Sequence, residues 1–530
     1  MPALEERDYF TDYEILKDPY GFFEAVRAHG PIYRPQGRDY LIVTGFEETL
    51  EVLANARDFS AINALQGAAA PLPFTPRGSD ITAQVEAHRS DFPGGEMLVG
   101  LDDAAHAALR GLVNRLFTPS RLKANEQFIS AYSDHLVRTA VARGSSELIR
   151  EISTPFVTLV IADLLGVPAD DRQRFMDVID GAPPPGSLDS NDNDYSGESH
   201  PLIVMGSYFA AYVEDRRRNP RGDILTELAC ATYADGSTPS LADIVNLATF
   251  LFGAGQDTSA KLLGNAMRYI AEQPDLQDRL RADPSLIPHL IEEVLRLEGS
   301  SKQTARLARR DTRIGDWMVP AGTPILLALA AANRDPRRWD DPGALQLARP
   351  GIREHVAFGR GKHVCAGAPL ARVEVRIILE KFLAHTQSIE LDEAFHGPRG
   401  DRVLHYEPSF IIRGLADLHL KLVPSADVQA SPMGSRDEQF PIAGEASHDA
   451  PKSGGGRSVP STAVTKIGVL LAHDDARAML DRHFPGIATD QRIAMARGLT
   501  LRSIQSFAPA QFPDTALDAL DVELATLMLE

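Results

Sequence analysis

Phe358-Gly359-Arg360-Gly361-Lys362-His363-Val364-Cys365-Ala366-Gly367 is the stretch around which this 530-residue chain can be read. Cys365 is one of two cysteines, too few for a disulfide framework, so its sulfur needs another account. The periodic run Pro369 to Phe382 follows at once and reads as a helix. Cys365 therefore lies where free backbone N–H groups and the positive end of a helix dipole favour thiolate over thiol. A thiolate of this kind suits a soft or redox metal. Gly359, Gly361 and Gly367 let the backbone turn sharply and approach a flat object, and Phe358 is placed to pack beside the sulfur and limit water. The same residues also fit a small buried hydrophobe or, with His363 two positions away, a thiol hydrolase.

Bulk composition narrows the classes. A chain with 44% hydrophobic residues has material for a large core, and its net charge of −19 argues against a general surface for nucleic acid or anionic membranes. Met1 to Tyr20 shows neither a basic-then-apolar leader nor an anchor of about 20 apolar residues. The expectation is a soluble, cytoplasmic protein with no membrane anchor and no nucleic-acid partner.

Four further patterns carry chemistry. His106 and Arg110 lie four apart and share one helical face, either a carboxylate-binding pair or an ordinary solvated face. Ser240 and Asp243 form a capping box that starts a long helix running to about Ile270. Within it, Ala254-Gly255-Gln256-Asp257-Thr258-Ser259 sets small residues beside an acid and an alcohol, which are costly in an apolar helix unless partnered. Thr258 would by default bond back to a carbonyl one turn earlier. Glu293 and Arg296, in Glu-x-x-Arg, are spaced to pair.

Taken together, in this order and at these distances, the patterns resemble the cytochrome P450 family of the soluble bacterial type. The resemblance implies a mainly α fold with smaller β-sheets, the triangular cytochrome P450 fold, and haem b as cofactor with Cys365 as the iron ligand. It implies cofactor contacts from His106, Arg110, Ala254, Gly255, Arg306, His355, Phe358, Gly359, His363 and Gly367, with His106, Arg110, Arg306 and His355 on the propionates. Asp257 and Thr258 are implied as the catalytic acid and alcohol that deliver protons to dioxygen, and Glu293, Arg296 and Arg349 as a structural trio. The implied activity is a haem-thiolate monooxygenase that hydroxylates a small, largely apolar organic substrate, with electrons from a separate ferredoxin and its reductase. Arg360, Lys362, Arg372 and Arg376 would offer a basic docking patch. A peroxide-driven peroxygenase and a haem-binding sensor without turnover are the alternatives. Ser301-Lys302-Gln303 departs from the apolar residues usual there. Lys302 reads as a contact for an acidic substrate or as an ordinary surface lysine.

Along the chain, residues 1–60 alternate helical runs (Tyr20 to His29, Phe46 to Ala54) with strand-like Pro31 to Arg34 and Tyr40 to Val43. Residues 61–100 read as a long loop, 124–180 as helices, and Gly181 to Gly197 as a flexible hood. A helix is expected near Val204 to Arg217 and a hairpin pivoting on Gly414 across Phe410 to Leu422. The haem domain is expected over 1–425, a linker over 426–463 and a small helical module of unknown role over 464–530. In that module Leu517, Leu520, Leu524 and Leu527 share one face, and Ala478 to Phe484 and Leu501 to Phe507 suggest further helices.

Overall fold

The computed structural model describes residues 3–180, 201–233 and 235–426 and, further on, 461–462, 465, 467–484, 487, 501–502 and 512–525. They divide into two compact units, one from residues 3–180 and 208–426, the other from 201–207 and the described residues beyond 460. The expected hood lies outside the described residues, as does nearly all of the expected linker.

The larger unit is built on the Leu241–Glu272 helix of 32 residues, about 48 Å long at 1.5 Å per residue. It starts at the capping box: Asp243 N–H donates to Ser240 Oγ at 3.0 Å, and Ser240 N–H donates to Asp243 Oδ2 at 3.1 Å. Ile244, Leu247, Leu251 and Phe252 bury one face of its first half, and every residue from Ser259 to Met267 is buried. The helix therefore passes from an amphipathic stripe to a rod inside the core. The Thr154–Leu165, Ile287–Glu298 and Ala368–His385 helices pack against it, and Pro119–Arg143 packs along Ala368–His385. Full burial of each large apolar side chain contributes about 1.5–3 kcal/mol, which is how so long a helix is held.

Three sheets complete the unit. The first has the order β1 (Ile32–Tyr33), β2 (Leu41–Val43), β8 (Pro324–Leu327), β5 (Thr304–Ala308), β3 (Phe59–Ser60). β2 runs parallel to β8 with Leu41 opposite Ile325, and the other neighbours are antiparallel. β2 and β8 are buried on both faces, which explains their unbroken apolar runs. The second sheet pairs β10 (His419–Pro424) with β9 (Thr386–Leu391) and with β4 (Ser145–Glu147), and the third is the hairpin β6 (Thr312–Ile314) and β7 (Trp317–Val319).

Helix boundaries such as Phe46–Ala54 and Tyr20–Ala28 fall within a residue of expectation, and Pro201–Arg218 replaces the expected Val204 to Arg217. Three expectations fail. Residues 61–100 contain a helix, Thr82–Ala87, and β4 interrupts the helices of 124–180. The hairpin across Phe410 to Leu422 does not form: Ser409 Oγ accepts from Ile411 N and Ile412 N at 3.1 and 2.8 Å and turns the chain early. Only single bridges, Tyr406 to Leu415 and Ser301 to Ile412, remain, and β10 begins at His419.

The smaller unit has its own core. Ile467, Leu470, Leu480, Phe484, Phe512, Leu517, Leu520 and Leu524 cluster between the Ile467–Ala472, Asp474–His483 and Asp514–Leu524 helices. Thr462 Oγ1 donates to Asp521 Oδ2 at 2.9 Å, and His483 Nε2 lies 3.0 Å from Glu523 Oε1. Leu527 and residues 503–507 of the expected helices lie outside the described residues. Among the described residues, no helix is long and apolar enough to cross a membrane.

Candidate active site

The cysteine loop is held by its own backbone. Cys365 N–H donates to Phe358 O at 2.9 Å, and a single 3₁₀ turn, Gly361–His363, lies between them. Gly361 has φ +71°, and a Cβ there would run into the Leu53 carbonyl oxygen, so glycine is required on both counts. The Ala368–His385 helix starts three residues after Cys365. Cys365 is an exposed residue, while the surrounding protein pushes its thiol pKa up; N–H groups of Gly367 and Ala368 and the charges of Arg110 and Arg372 oppose that shift. Arg372 lies 4.7 Å over the Phe358 ring and donates to Glu292 at 2.6 and 2.9 Å.

A basic group gathers beside this loop. The Asp103–Asn114 helix carries His106 and Arg110. It opens on Asp103 with the strained φ of +46°, fixed by two bonds from Arg309 at 2.8 and 3.2 Å. His106 is buried, its Nε2 has no partner among the described residues, and its ring lies 4.1 Å from that of His363. Burial and Arg110 push His106 below its ordinary range. Arg110 donates to Asn114 Oδ1 at 2.9 Å. Arg306, on β5, is buried and, among the described residues, donates only to Thr304 Oγ1 and the Ala305 carbonyl, at 3.2 and 2.7 Å; burial pulls its pKa down to about 10. Among the described residues, none of His106, Arg110, Arg306 and His363 has a carboxylate in contact.

His355 stands apart from that group. Its Nε2 lies 3.0 Å from Glu292 Oε2, and its Nδ1 accepts from Ala357 N–H at 3.3 Å, so both ring nitrogens are engaged with the protein. The imidazole beside His106 is His363 instead. Lys302 is neither a surface lysine nor free for an acidic ligand: it is fully buried, with Nζ donating to the Leu16 and Ser409 carbonyls.

On the long helix, Thr258 Oγ1 donates to Ala254 O at 2.9 Å, the local back-bond its sequence allows. Its oxygen keeps acceptor capacity. Ala254 is exposed in the middle of an otherwise well-buried helix, and Gly255 is partly exposed. Asp257 Oδ2 is buried without a partner among the described residues, and burial pushes the carboxyl up, opposed by Lys261.

The Glu293 trio closes on itself. Arg296 Nε donates to Glu293 Oε2 at 2.6 Å and Arg349 Nε to Oε1 at 2.8 Å, while Arg296 also donates to the Asn333, Pro342 and Ala344 carbonyls. Of the expected docking patch, Arg372 is paired with Glu292 and Arg376 with Glu380 at 2.8 Å and Glu126 at 3.6 Å, whereas Arg360 bonds only the Arg353 carbonyl. Sequence reasoning passed over Lys261 and Glu407, which meet at Asp257. Lys261 carried a signal, a lysine one turn after the acid in an apolar run, but Glu407 is 146 residues away and carried none.

Comparison with known proteins bears on the family and the fold. The family model described as Cytochrome P450 matches residues 205–391. Cytochrome P450 144 of Mycobacterium tuberculosis is 31% identical over 429 residues, covering 79% of this chain and 92% of that one. Mycobacterium marinum cytochrome P450 CYP150A6, solved substrate-free, superposes with a TM-score of 0.74 at 46% identity over 80% of this chain and all of that one. CYP109E1 from Bacillus megaterium, solved in complex with corticosterone, gives a TM-score of 0.64 at 26% identity over 77% of this chain and 99% of that one. The chain belongs to the cytochrome P450 family. It is therefore a haem-thiolate monooxygenase, acting on an organic substrate with dioxygen.

Proposed function

We propose that this enzyme binds haem b through Cys365 and hydroxylates a small, largely apolar organic substrate with electrons from a separate ferredoxin and its reductase. The observation that carries the cofactor reading is the open basic group: His106, Arg110, Arg306 and His363 lie together with no carboxylate in contact among the described residues. Two propionates are the anions such a set lacks, and the donors fit them. His355 is left out of this set because both of its nitrogens have partners.

When bound, the haem supplies activation of dioxygen and transfer of one oxygen atom to substrate. The chain's own residues do the rest. N–H groups of Gly367 and Ala368 hold negative charge on Cys365 Sγ, and Phe358, under Arg372, shields that side from water. Asp257 Oδ2, buried with no partner among the described residues, is the atom that hands on a proton, and Thr258 Oγ1, which donates to Ala254 O, keeps the acceptor capacity to hold the proton's path. Arg360 and Lys362 are left to dock an acidic ferredoxin once Arg372 and Arg376 are paired within the chain. Residues 464–530 are read as a separate helical module, supported by their own core. CYP109E1 is solved with corticosterone, which makes steroids one substrate class to try first.

The test is spectroscopic. The purified protein should show a thiolate-haem absorption spectrum that Cys365→Ala abolishes, and a low-to-high-spin shift when titrated with one of a panel of steroids, terpenoids, fatty acids and aromatic acids. A thiolate-haem spectrum retained in Cys365→Ala would defeat the ligand assignment. Product formed with peroxide but none with ferredoxin, reductase and dioxygen would replace the monooxygenase route with a peroxygenase.

A further inference from the structure

One turn beyond Asp257, Lys261 is buried in the same helix. Its stem lies in a slot that exists because residue 414 is glycine, since a Cβ there would run into Lys261 Cγ and Cδ. Its Nζ contacts Glu407 Oε1 and lies 3.9 Å from Asp257 Oδ1. Asp257 Oδ2 and Glu407 Oε2 are both buried with no partner among the described residues. Two other charged residues act on the cluster, Lys302 and Glu147. Lys302 is spent on the carbonyls of Leu16 and Ser409, and Glu147 accepts from the N–H groups of Ile149, Arg150 and Leu418. Burial and Arg413 hold Lys302 well below the ordinary lysine range, so Lys261 is the cation that serves both buried carboxyls.

With both carboxyls ionised, the cluster holds a buried negative charge that no cation offsets, which a low-dielectric interior disfavours. Burial pushes both carboxyls up, Glu407 to about 7 with the charge of Asp257 adding to the rise and Lys261 opposing it, so a proton on Asp257 lets Glu407 ionise beside the lysine. Which of the two keeps a proton is decided by the lysine, and the lysine is on Glu407.

We propose that Lys261 and Glu407 are positioning residues that keep Asp257 protonated in the resting enzyme: Lys261 is held on Glu407, and the one proton left to the two carboxyls rests on Asp257. The inference rests on the reading of Asp257 as proton donor and says how that donor is loaded. When Asp257 gives up its proton, both carboxyls stand ionised around one lysine, and one proton taken up from bulk water restores the cluster.

Infrared difference spectra of the full-length, haem-loaded enzyme at neutral pH read protonated carboxyls by their C=O stretch. Glu374, a separate buried carboxyl raised to about 8, contributes equally to every variant and cancels. Asp257→Asn should delete one protonated-carboxyl band. Glu407→Gln should delete the same band, because the released Lys261 then pairs with Asp257 and lets it ionise. Lys261→Met should add a second band, because both carboxyls lose their cation. An Asp257 band that survives in Glu407→Gln, or a single unchanged band in Lys261→Met, overturns the inference; if one variant does not fold, the other decides. The peroxide released per electron pair separates the two readings. Bands that change as stated while Asp257→Asn leaves peroxide release unchanged would keep the loading device and remove the donor role.

Discussion

Two basic groups in the larger unit, one buried and one half-buried, differ in what closes them. Around Glu293, the guanidinium groups of Arg296 and Arg349 are taken up by one carboxylate and a ring of carbonyls, at 0 and 3% side-chain exposure. Beside the cysteine loop, Arg306, Arg110, His106 and His363 have no carboxylate in contact among the described residues. Burial pushes both imidazoles down, so the buried charge of this set that no carboxylate contacts is that of Arg306, and burying such a charge costs several kcal/mol. The closed group reads as scaffold, and the open group is the one proposed above to take the propionates. The same test separates Lys302, closed by carbonyls, from Lys261, shared between two acids.

The comparison breaks most visibly at the closed group. Arg296→Met leaves Glu293 short of a partner and should cost about 3–5 kcal/mol in chemical denaturation with or without haem; a loss below about 1 kcal/mol would remove the trio from the scaffold. Arg306→Leu should do the opposite to the haem-free protein, leaving its stability unchanged or higher, while haem passes to an acceptor apoprotein about 10 to 100 times faster. That range corresponds to one charge-assisted hydrogen-bonded contact of about 1.5–3 kcal/mol. Equal destabilisation of the haem-free protein would move Arg306 into the scaffold. The smallest effect belongs to a pair that is closed but solvated: Arg376→Ala, which breaks the contacts with Glu380 and Glu126, should shift stability by no more than about 1 kcal/mol.

What the sequence made legible were features set by neighbours along the chain. The Ser240 and Asp243 cap, the start of the helix after Cys365 and the Glu293 and Arg296 spacing each depend on residues within one or two turns, and each is found where expected. Burial and long-range pairing were not legible. His355 has an imidazole suited to a carboxylate ligand, but only the packing of Glu292 against it shows that the ring is already engaged. Lys302 is buried because carbonyls from residues 16 and 409 converge on its Nζ. β4 is three residues of Ser-Ser-Glu with no apolar alternation, and nothing but its partner makes it a strand.

That partner has a temporal meaning. Leu418 N–H reaches the Glu147 carboxylate 271 residues back, and β10 pairs with β4 beside it. At ribosomal speeds of 5–20 residues per second, β4 waits roughly 14–54 s for its neighbour to be made. Glu407 is translated only just before β10, so Lys261 also spends most of that interval without its acid. The unit therefore closes late, from its carboxyl-terminal end, and a chaperone that shields nascent chains would meet it with the sheet unfinished and the long helix still carrying an unmatched charge.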